Sequence, residues 1–325
     1  MDTKEDAILL GPCVSEFYWE AGRFAPLLPF MRKSYSKISK HPKFIVLTRE
    51  ERFDLYGRFA DILVPLKIEG DYTKYAPNCY RLNDFPHEHY EKIASDFYKK
   101  YEERFNILDH LYPKVDGKHF LNKNQFQINR MIFSYAPRQE NYDLVDSYLP
   151  KDKAIVILSS RYRNNNLDPP SVRRRNWPNW QELYSRIRTN TFLMDNFNFV
   201  ICGKTGEYIP DSEDKFFDLN KIKITRDSSL SGLLLVLLQR ACFTCSSQSA
   251  IPNLSLLFKV EVLEWGHQKS LHTIIYNHKK TKITFLDDPK YTLPAKIVYR
   301  NLLSILENKI KTGEIKTCTT QKING

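Results

Sequence analysis

Several features that mark common classes of protein are absent from this 325-residue chain. Its longest apolar run, Leu233 to Leu238, is far shorter than the roughly 18 residues that a membrane span requires, so we expect no membrane span. The first six residues, Met1 to Asp6, carry charges of both signs and do not form the start of a secretory signal. We therefore expect a cytoplasmic protein, located in the host cytoplasm if it is viral.

Cysteine is sparse, with six residues that do not form a zinc-binding pattern. Cys242 and Cys245 make a C-x-x-C, but they lie in a strand-like segment, and no second pair has matching spacing. We predict that these two thiols pack in the core, and we expect no disulfides in a chain without a secretory signal.

Glycine is scarce as well, with 11 residues, and the glycine-rich motifs of nucleotide-binding enzymes are missing. No G-x-G-x-x-G follows a strand, which disfavours a dehydrogenase. The segment Gly203-Lys204-Thr205-Gly206 lacks the G-x-x-x-x-G-K-[ST] pattern of triphosphatases. Asp-x-Asp, which holds a cation in many sugar transferases, is absent, so we predict no metal site and no bound cofactor.

Positive charge is abundant, since the formal net charge is +11 and the isoelectric point is about 9.2. Such a balance suggests a polyanionic partner, although scattered lysines are more often a solvated surface. Arg161 and Arg163 follow a strand, and we expect at least one of the clustered arginines to bind phosphate. For the run Arg173, Arg174 and Arg175 we predict a solvated or acceptor-facing surface, and Arg23 joins the predicted acceptor contacts.

Strand-like apolar runs alternate with helical patterns along the whole chain, which predicts parallel sheets with helices on their faces. The pattern restarts at residue 151, so we predict two doubly wound domains, residues 1–150 and 151–312, followed by a flexible tail, 313–325. The last helix, Pro294 to Lys311, is expected to pack back toward the first domain through an apolar face that includes Ile297.

Local patterns also predict the shape of individual segments. Gly11-Pro12 is predicted as a turn after the first strand. The aromatic stripe between Pro86 and Leu111 predicts one long helix whose stripe packs in the core. Further strands are expected between Tyr112 and Gln139, and Val260 to Leu263 is predicted to close the second sheet.

A segment rich in small hydroxyl residues, Ser246-Ser247-Gln248-Ser249, lies where a strand of the second domain meets a helix. Parallel sheets bind ligands beyond the carboxyl ends of their strands, and free amides at a helix N-terminus attract anions. A diphosphate fits such a site. An ordinary serine N-cap is equally consistent with the local sequence, and both interpretations stay open.

The first loop carries two carboxylates, Glu16 and Glu20, among aromatic side chains. A carboxylate that is partly removed from water beside aromatic rings acquires a raised pKa and acts as a general base toward a hydroxyl. The alternative is that Glu20 only stabilises the first helical turn through the helix dipole. We favour a functional role for one of the two.

The segment Ser15 to Glu20 reads S-E-F-Y-W-E, and it resembles the G-E-F-G-W-E first loop of GT-B glycosyltransferases of the heptosyltransferase-like group and related bacterial and phage enzymes. Trp177 to Trp180, Val200 to Lys204 and Cys245 to Ser249 look like the donor-domain segments of that group. The resemblance implies two Rossmann-like domains that face a central cleft.

The resemblance also implies roles for individual residues. Glu16 or Glu20 would be the base, while the donor would be held by Arg161, Arg163, Gly203, Lys204 and the residues Ser246, Ser247, Gln248 and Ser249. The donor would be a nucleotide sugar, UDP- or GDP-linked, and it would serve as co-substrate.

These observations predict a metal-independent glycosyltransferase that moves a sugar to an acceptor hydroxyl. The positive charge narrowly favours hydroxymethylated phage DNA as the acceptor, and a surface glycan or lipid-linked acceptor is the alternative. A non-catalytic nucleic-acid-binding protein and a sugar-nucleotide epimerase of the same architecture remain open. No obligate protein partner is indicated.

Overall fold

A computed structural model gives the structure of the chain and describes residues 4–14, 20–68, 87–112, 135–160, 176–203, 216–225, 228–267 and 280–315. The chain divides into two compact units, Met1–Arg138 and Gln139–Gly325. Each unit is built around its own parallel sheet, which confirms the predicted α/β class.

The first unit contains four parallel strands in the order β3-β2-β1-β4. The strands are β1 (Glu5–Cys13), β2 (Lys43–Thr48), β3 (Ile62–Pro65) and β4 (Phe105–Leu111). The other elements are a π-helix (Glu20–Phe24), α1 (Leu27–Tyr35), a 3₁₀-helix (Glu50–Leu55) and α2 (His87–Glu102). The central strand β1 is fully buried from Ala7 to Leu10 because helices and loops cover both faces of a parallel sheet.

The long aromatic helix predicted up to Leu111 is wrong beyond Glu102, where α2 ends, because Phe105–Leu111 forms β4. Pairing with β1 along the sheet edge overrides the local helical periodicity. The stripe itself is core as predicted, since Tyr90, Phe97 and Tyr101 are buried against the sheet.

The predicted Gly11-Pro12 turn is also wrong, because both residues lie inside β1 where its pairing with β2 shifts register. Most of the segment between Tyr112 and Gln139, in which further strands were expected, lies outside the described residues.

The second unit contains six parallel strands in the order β10-β9-β8-β5-β6-β7. The strands are β5 (Ala154–Ser159), β6 (Phe197–Cys202), β7 (Phe217–Asp218), β8 (Ala241–Ser247), β9 (Glu261–Gly266) and β10 (Ile283–Asp287). The helices are α3 (Gln139–Tyr148), α4 (Trp180–Arg188), α5 (Thr191–Asn196), a 3₁₀-helix (Leu219–Lys221), α6 (Leu230–Arg240), α7 (Ala250–Leu257) and α8 (Ala295–Lys311). The prediction that the strand at Val260–Leu263 closes this sheet is wrong, since β10 pairs beyond β9.

Helix α3 belongs to the second unit, whereas the sequence pattern placed the start of the second domain at residue 151. Asn141 of α3 is fully buried, and its Oδ1 accepts a hydrogen bond from the backbone N–H of Ser229 at 3.0 Å. Arg240 of α6 forms an ion pair with Asp146 at the other end of α3. These contacts fix α3 on α6.

The core of the second unit is rich in tryptophan. Trp177, Trp180 and Trp265 are fully buried, and their ring centroids lie 4.6 to 5.2 Å apart. The terminal helix α8 packs on α4 and on this core through Val298, Leu302 and Leu306. Ile297 was predicted on the apolar face but is 40% exposed, because the buried stripe of α8 runs through Val298 instead. The expected return of α8 toward the first unit stays a prediction.

Candidate functional site

The strand order of the second unit places a topological switch point between β5 and β8. From β5 the chain proceeds outward to β6 and β7, and then returns to β8 on the other side of β5. In open parallel sheets, ligands bind at such a point beyond the carboxyl ends of the strands. The predicted hydroxyl-rich segment, Ser246 to Ser249, lies at this point.

Three serine hydroxyls from these two strands and the following helix form one cluster. Ser246 Oγ donates to the carbonyl of Ser159 at 3.0 Å. Ser249 Oγ lies 3.2 Å from both Ser159 Oγ and Ser246 Oγ. Ser159 and Ser246 are buried, whereas Ser249 is partly exposed. The cluster is thus buried at Ser159 and Ser246 and reachable from solvent at Ser249.

Helix α7 begins at this cluster, and Ser249 occupies its N-cap position. The side chain of Ser249 makes no capping hydrogen bond; its hydroxyl contacts the other two serines, and Pro252, in the third position of the helix, has no N–H to donate to it. The first backbone N–H groups of a helix have no acceptor inside the helix, and the helix dipole makes them attractive to anions. The capping interpretation therefore lacks the hydrogen bond on which it depends.

Two further polar atoms beside the cluster are buried without a partner. Ser247 Oγ and Asn253 Oδ1 make no hydrogen bond to any residue that the structure describes. Ser247 is fully buried at the end of β8, and Asn253 lies in the first turn of α7, where its amide donates to the carbonyl of Ser249 at 3.3 Å. Buried polar groups are nearly always hydrogen-bonded, so these two atoms have unused hydrogen-bonding capacity beside the cluster.

The end of β6 approaches the end of β5 closely at Gly203. This residue has a φ of +91°, and a Cβ atom there would lie 2.3 Å from the carbonyl oxygen of Ser160. Only glycine avoids both the strained backbone and the overlap. Gly203 therefore allows the ends of β5 and β6 to lie close together at the carboxyl edge of the sheet.

The side chain of Gln248 is fully engaged with the protein. Its Oε1 accepts hydrogen bonds from the backbone N–H of His267 at 3.0 Å and from the Tyr291 hydroxyl at 2.6 Å. Its Nε2 donates to the carbonyl of His267 at 2.7 Å. Gln248 thus joins the start of α7 to the ends of β9 and β10, and its role as a direct donor contact stays a prediction.

In the first unit, Glu20 begins the π-helix and is fully buried. Its Oε1 accepts hydrogen bonds from Thr48, at the end of β2, and from the Tyr56 hydroxyl, the latter at 2.9 Å. Glu20 and Thr48 thus follow the carboxyl ends of two neighbouring strands, the position expected for functional groups.

Burial raises the pKa of Glu20 above its ordinary value, while the guanidinium groups of Arg52 and Arg49 and the two hydrogen bonds lower it. Burial, together with the charge of Arg49, lowers the pKa of Arg52 to about 10, so Arg52 stays charged at neutral pH. Burial also raises the pKa of the neighbouring Cys13 thiol, which keeps that thiol protonated. Glu20 therefore faces two cations, and one of them, Arg49, also pairs with Glu51 at 3.5 Å.

Known proteins resemble this chain in structure rather than in sequence. No family model and no curated protein matches the sequence. The structure is similar to a family 9 glycosyltransferase from Veillonella parvula, at 11% identity and a TM-score of 0.50, covering 98% of this chain and 92% of that chain. It is also similar to E. coli ADP-heptose LPS heptosyltransferase II, at 10% identity and a TM-score of 0.54, covering 94% of this chain and 99% of that chain.

The chain has a GT-B fold. The predicted fold class is thereby confirmed. In this GT-B fold the serine cluster at the switch point belongs to the second unit and the Glu20 pocket to the first.

Several predicted site residues of this GT-B fold lie outside the described residues, namely Glu16, Arg161, Arg163, Arg173, Arg174, Arg175 and Lys204. The side chain of Arg23 lies outside them too.

Sequence patterns missed the partners of Glu20 and Gln248. Thr48 ends the predicted strand β2, so the rule that ligands bind at strand ends would have found it. Tyr56 and Tyr291 come from segments without a motif, and only the tertiary structure brings them to these carboxyl and amide groups.

Within the described parts of the GT-B fold, no group of three or more His, Cys, Asp or Glu side chains is placed to hold a metal ion. Cys245 packs in the core, and Cys242 is partly buried and donates to the carbonyl of Ile155 at 3.2 Å. The prediction of core packing for the C-x-x-C is confirmed. No described helix is both long and apolar enough to cross a membrane.

Proposed function

We propose that this chain is a glycosyltransferase that moves a sugar from a nucleotide-sugar donor to an acceptor hydroxyl. The main observation in support is the N-terminus of α7, which has no side-chain cap and lies at the β5–β8 switch point beside the serine cluster. Free helix amides and hydroxyl groups suit a diphosphate. The likeness of fold to two glycosyltransferases supports the same reaction class.

Donor binding would use groups from three strand ends. The amides of α7 and the partly exposed hydroxyl of Ser249 would receive the diphosphate, which we propose is UDP- or GDP-linked, with the buried hydroxyls of Ser246 and Ser247 behind them. Arg161, Arg163 and Lys204, with the close turn at Gly203, would complete the site. Cationic groups and amides that neutralise the developing charge on the leaving diphosphate would make a metal ion unnecessary.

Glu16 is the better candidate for the catalytic base. A base must reach the acceptor hydroxyl, whereas Glu20 is fully buried and already accepts hydrogen bonds from Thr48 and Tyr56. In the proposed step, Glu16 takes the hydroxyl proton and the acceptor oxygen bonds to the anomeric carbon. The bond from that carbon to the diphosphate breaks, and the diphosphate leaves with the electron pair. Glu20 would hold the start of the π-helix and thereby position the loop that carries Glu16.

For the acceptor, the net charge of +11 supports a polyanion, and we propose hydroxymethylated DNA with Arg23 and Arg173 to Arg175 as contacts. A surface glycan or lipid-linked acceptor is the alternative outcome of the acceptor assay. A cytoplasmic location is part of the proposal.

A thermal-shift screen against UDP, GDP, ADP and CMP sugars, with and without EDTA, tests donor binding. A ligand that binds only the folded protein raises its midpoint, so we expect a shift with one nucleotide class that survives EDTA. No shift with any of them, together with salt-sensitive DNA binding, would replace the proposal by a non-catalytic nucleic-acid-binding protein. Release of free sugar nucleotide without an acceptor would indicate an epimerase.

Activity assays with Glu16→Gln and Glu20→Gln test the assignment of the base. We expect Glu16→Gln to lower kcat by about 100-fold or more, as loss of a general base does. Glu20→Gln keeps an acceptor for Thr48 and Tyr56, and we expect less than about a tenfold loss, well below that expected for a general base. The reverse order of the two effects would assign the base to Glu20.

A further inference from the structure

The hydrogen bonds of Gln248 reach beyond the diphosphate site. The side-chain amide of Gln248 makes two hydrogen bonds to the backbone of His267, one with its N–H and one with its carbonyl. The backbone of a neighbouring strand would make the same pair of bonds. His267 directly follows the end of β9, the strand next to β8, and its side chain is exposed. Gln248 therefore fixes the backbone of His267 beside the start of α7.

The surrounding residues are shaped to keep this contact. Gly266 has a φ of +148°, and a Cβ atom there would lie 2.7 Å from Cγ and 2.8 Å from Cδ of Gln248. Tyr291 is a buried, bulky residue with a φ of +55°, a conformation that costs energy and needs compensation. Its hydroxyl bonds to Gln248 at 2.6 Å. Both irregular positions thus converge on one glutamine.

We infer that Gln248 is a positioning residue and that the His267 imidazole, which it places at the edge of the sheet, contacts the nucleotide diphosphate of the donor. The inference rests on the proposed function and adds one contact residue to it. An imidazole donates or accepts hydrogen bonds to diphosphate oxygens, and β9 ends next to the strand that leads into the anion site. Gln248 itself makes no contact with the donor in this account.

Binding of UDP and GDP by titration calorimetry, and donor KM and kcat, test the inference in four variants. These are Gln248→Met, which keeps the volume and loses the amide, His267→Ala, the double variant, and Tyr291→Phe. We expect Gln248→Met and His267→Ala each to weaken binding of the preferred diphosphate and to raise donor KM about tenfold. We expect kcat to stay within about threefold. The double variant should bind the diphosphate no more than about tenfold more weakly than the wild type, since both changes remove the same interaction.

Thr244→Val is the matched control. Its hydroxyl lies 2.8 Å from Ser255 Oγ and joins the same strand, β8, to the same helix, α7, away from the carboxyl edge. Loss of this buried bond should lower the thermal midpoint but leave diphosphate affinity within about twofold. Tyr291→Phe removes one of the three hydrogen bonds of the Gln248 side chain, so it should weaken diphosphate binding less than Gln248→Met does. It provides a second test if Gln248→Met folds poorly.

Three outcomes would overturn the inference. Unchanged affinity in His267→Ala would exclude the contact, and losses that add in the double variant would exclude positioning of His267 by Gln248. An equal loss of affinity in Thr244→Val would show a general structural effect. These results would leave the proposed function standing if the wild type binds a nucleotide. No binding of any nucleoside diphosphate by the wild type would overturn both.

Discussion

At the scale of single residues, polar groups at the carboxyl ends of the strands are positioned by partners that are distant in sequence. Glu20 is held by Thr48 and Tyr56, and Gln248 is held by His267 and Tyr291. The sequence pattern identifies Glu20 and Gln248 as polar residues near strand ends, but it does not identify their hydrogen-bond partners. Substitutions at these positions separate structural roles from functional ones.

Gly203→Ala should lower the free energy of unfolding by about 2 kcal/mol or more, because the residue has a positive φ and no room for a Cβ atom. Denaturant melts measure this loss. Gly57→Ala is the control, since its Cβ atom would meet only the Phe53 carbonyl oxygen at an ordinary 3.6 Å. We expect that control to change stability by less than about 1 kcal/mol. Equal effects in both variants would contradict the close approach of β6 to β5.

Glu20→Gln should change how stability depends on pH. Because burial raises the pKa of Glu20, the folded protein holds this proton more tightly than the unfolded chain does. The contribution of Glu20 is fully present below its unfolded pKa and is lost as pH rises through its folded pKa. Relative to Glu20→Gln, the wild type should therefore lose stability as pH rises above the ordinary carboxyl range. Parallel pH profiles in denaturant melts would show that the pKa of Glu20 is not raised in the folded protein.

At the scale of elements, two helices that begin with serine use that serine differently. Ser229 Oγ caps α6 by accepting from the N–H of Gly232 at 2.9 Å, whereas Ser249 at the start of α7 makes no capping bond. The uncapped helix is the one that begins at the switch point between β5 and β8. The residue three positions after each serine contributes to the difference, since Gly232 donates its N–H to Ser229 whereas Pro252 has no N–H to donate.

Ser229→Ala should lower the free energy of unfolding by about 1 kcal/mol, the usual cost of a lost N-cap. Ser249→Ala should cost less stability and should instead raise donor KM, because its hydroxyl belongs to the proposed diphosphate site. Thermal melts and donor titrations of both variants make the comparison. A larger loss of stability in Ser249→Ala, with unchanged donor KM, would contradict the anion site.

Helix α8 is anchored by Lys309, whose Nζ lies 2.9 Å from Glu261 Oε2 and 2.8 Å from Glu314 Oε2. The lysine side chain is only 8% exposed, so Lys309→Met should leave two carboxylates without their cation. We expect a loss of about 1–2 kcal/mol in denaturant melts, since both carboxylates keep some solvent. Arg186→Ala, which breaks an exposed pair with Glu182, should cost about 0.5 kcal/mol or less. Equal losses would show that burial does not strengthen the Lys309 cluster.

At the scale of the whole molecule, the two units share the parallel α/β design, and the net charge of +11 is a property of the entire chain. Net charge acts on association with polyanions and does not determine the fold. If DNA is the acceptor, its binding to this protein should therefore depend on salt concentration.

Replacing Arg173, Arg174 and Arg175 with alanine should weaken binding to hydroxymethylated DNA and flatten its salt dependence. The slope of log K against log salt should fall by about one for each DNA phosphate that the protein no longer neutralises. Donor binding in a thermal-shift assay should stay unchanged and serves as the control. An unaltered slope would direct the acceptor search to glycans.

Where local pattern and tertiary pairing agree, the sequence predicted the fold well. Ala154–Ser159 and Leu230–Arg240 were placed correctly because long apolar runs have few alternatives to burial. Phe105–Leu111 was misassigned because its aromatic spacing fits a helix, and only pairing with β1 makes it a strand. β10 was missed because an edge strand is partly buried and carries a weak signal.

The sequence by itself determined the α/β class, the two-part organisation and the serine-rich segment after β8, since hydrophobic periodicity and strand-end chemistry are local properties. Only the tertiary structure decided that Gln248 binds His267 and Tyr291 and that Glu20 is enclosed by Thr48 and Tyr56. These outcomes depend on which partners the fold brings within hydrogen-bond distance. Such partners are 19 to 43 residues apart in the chain, beyond the reach of any local pattern.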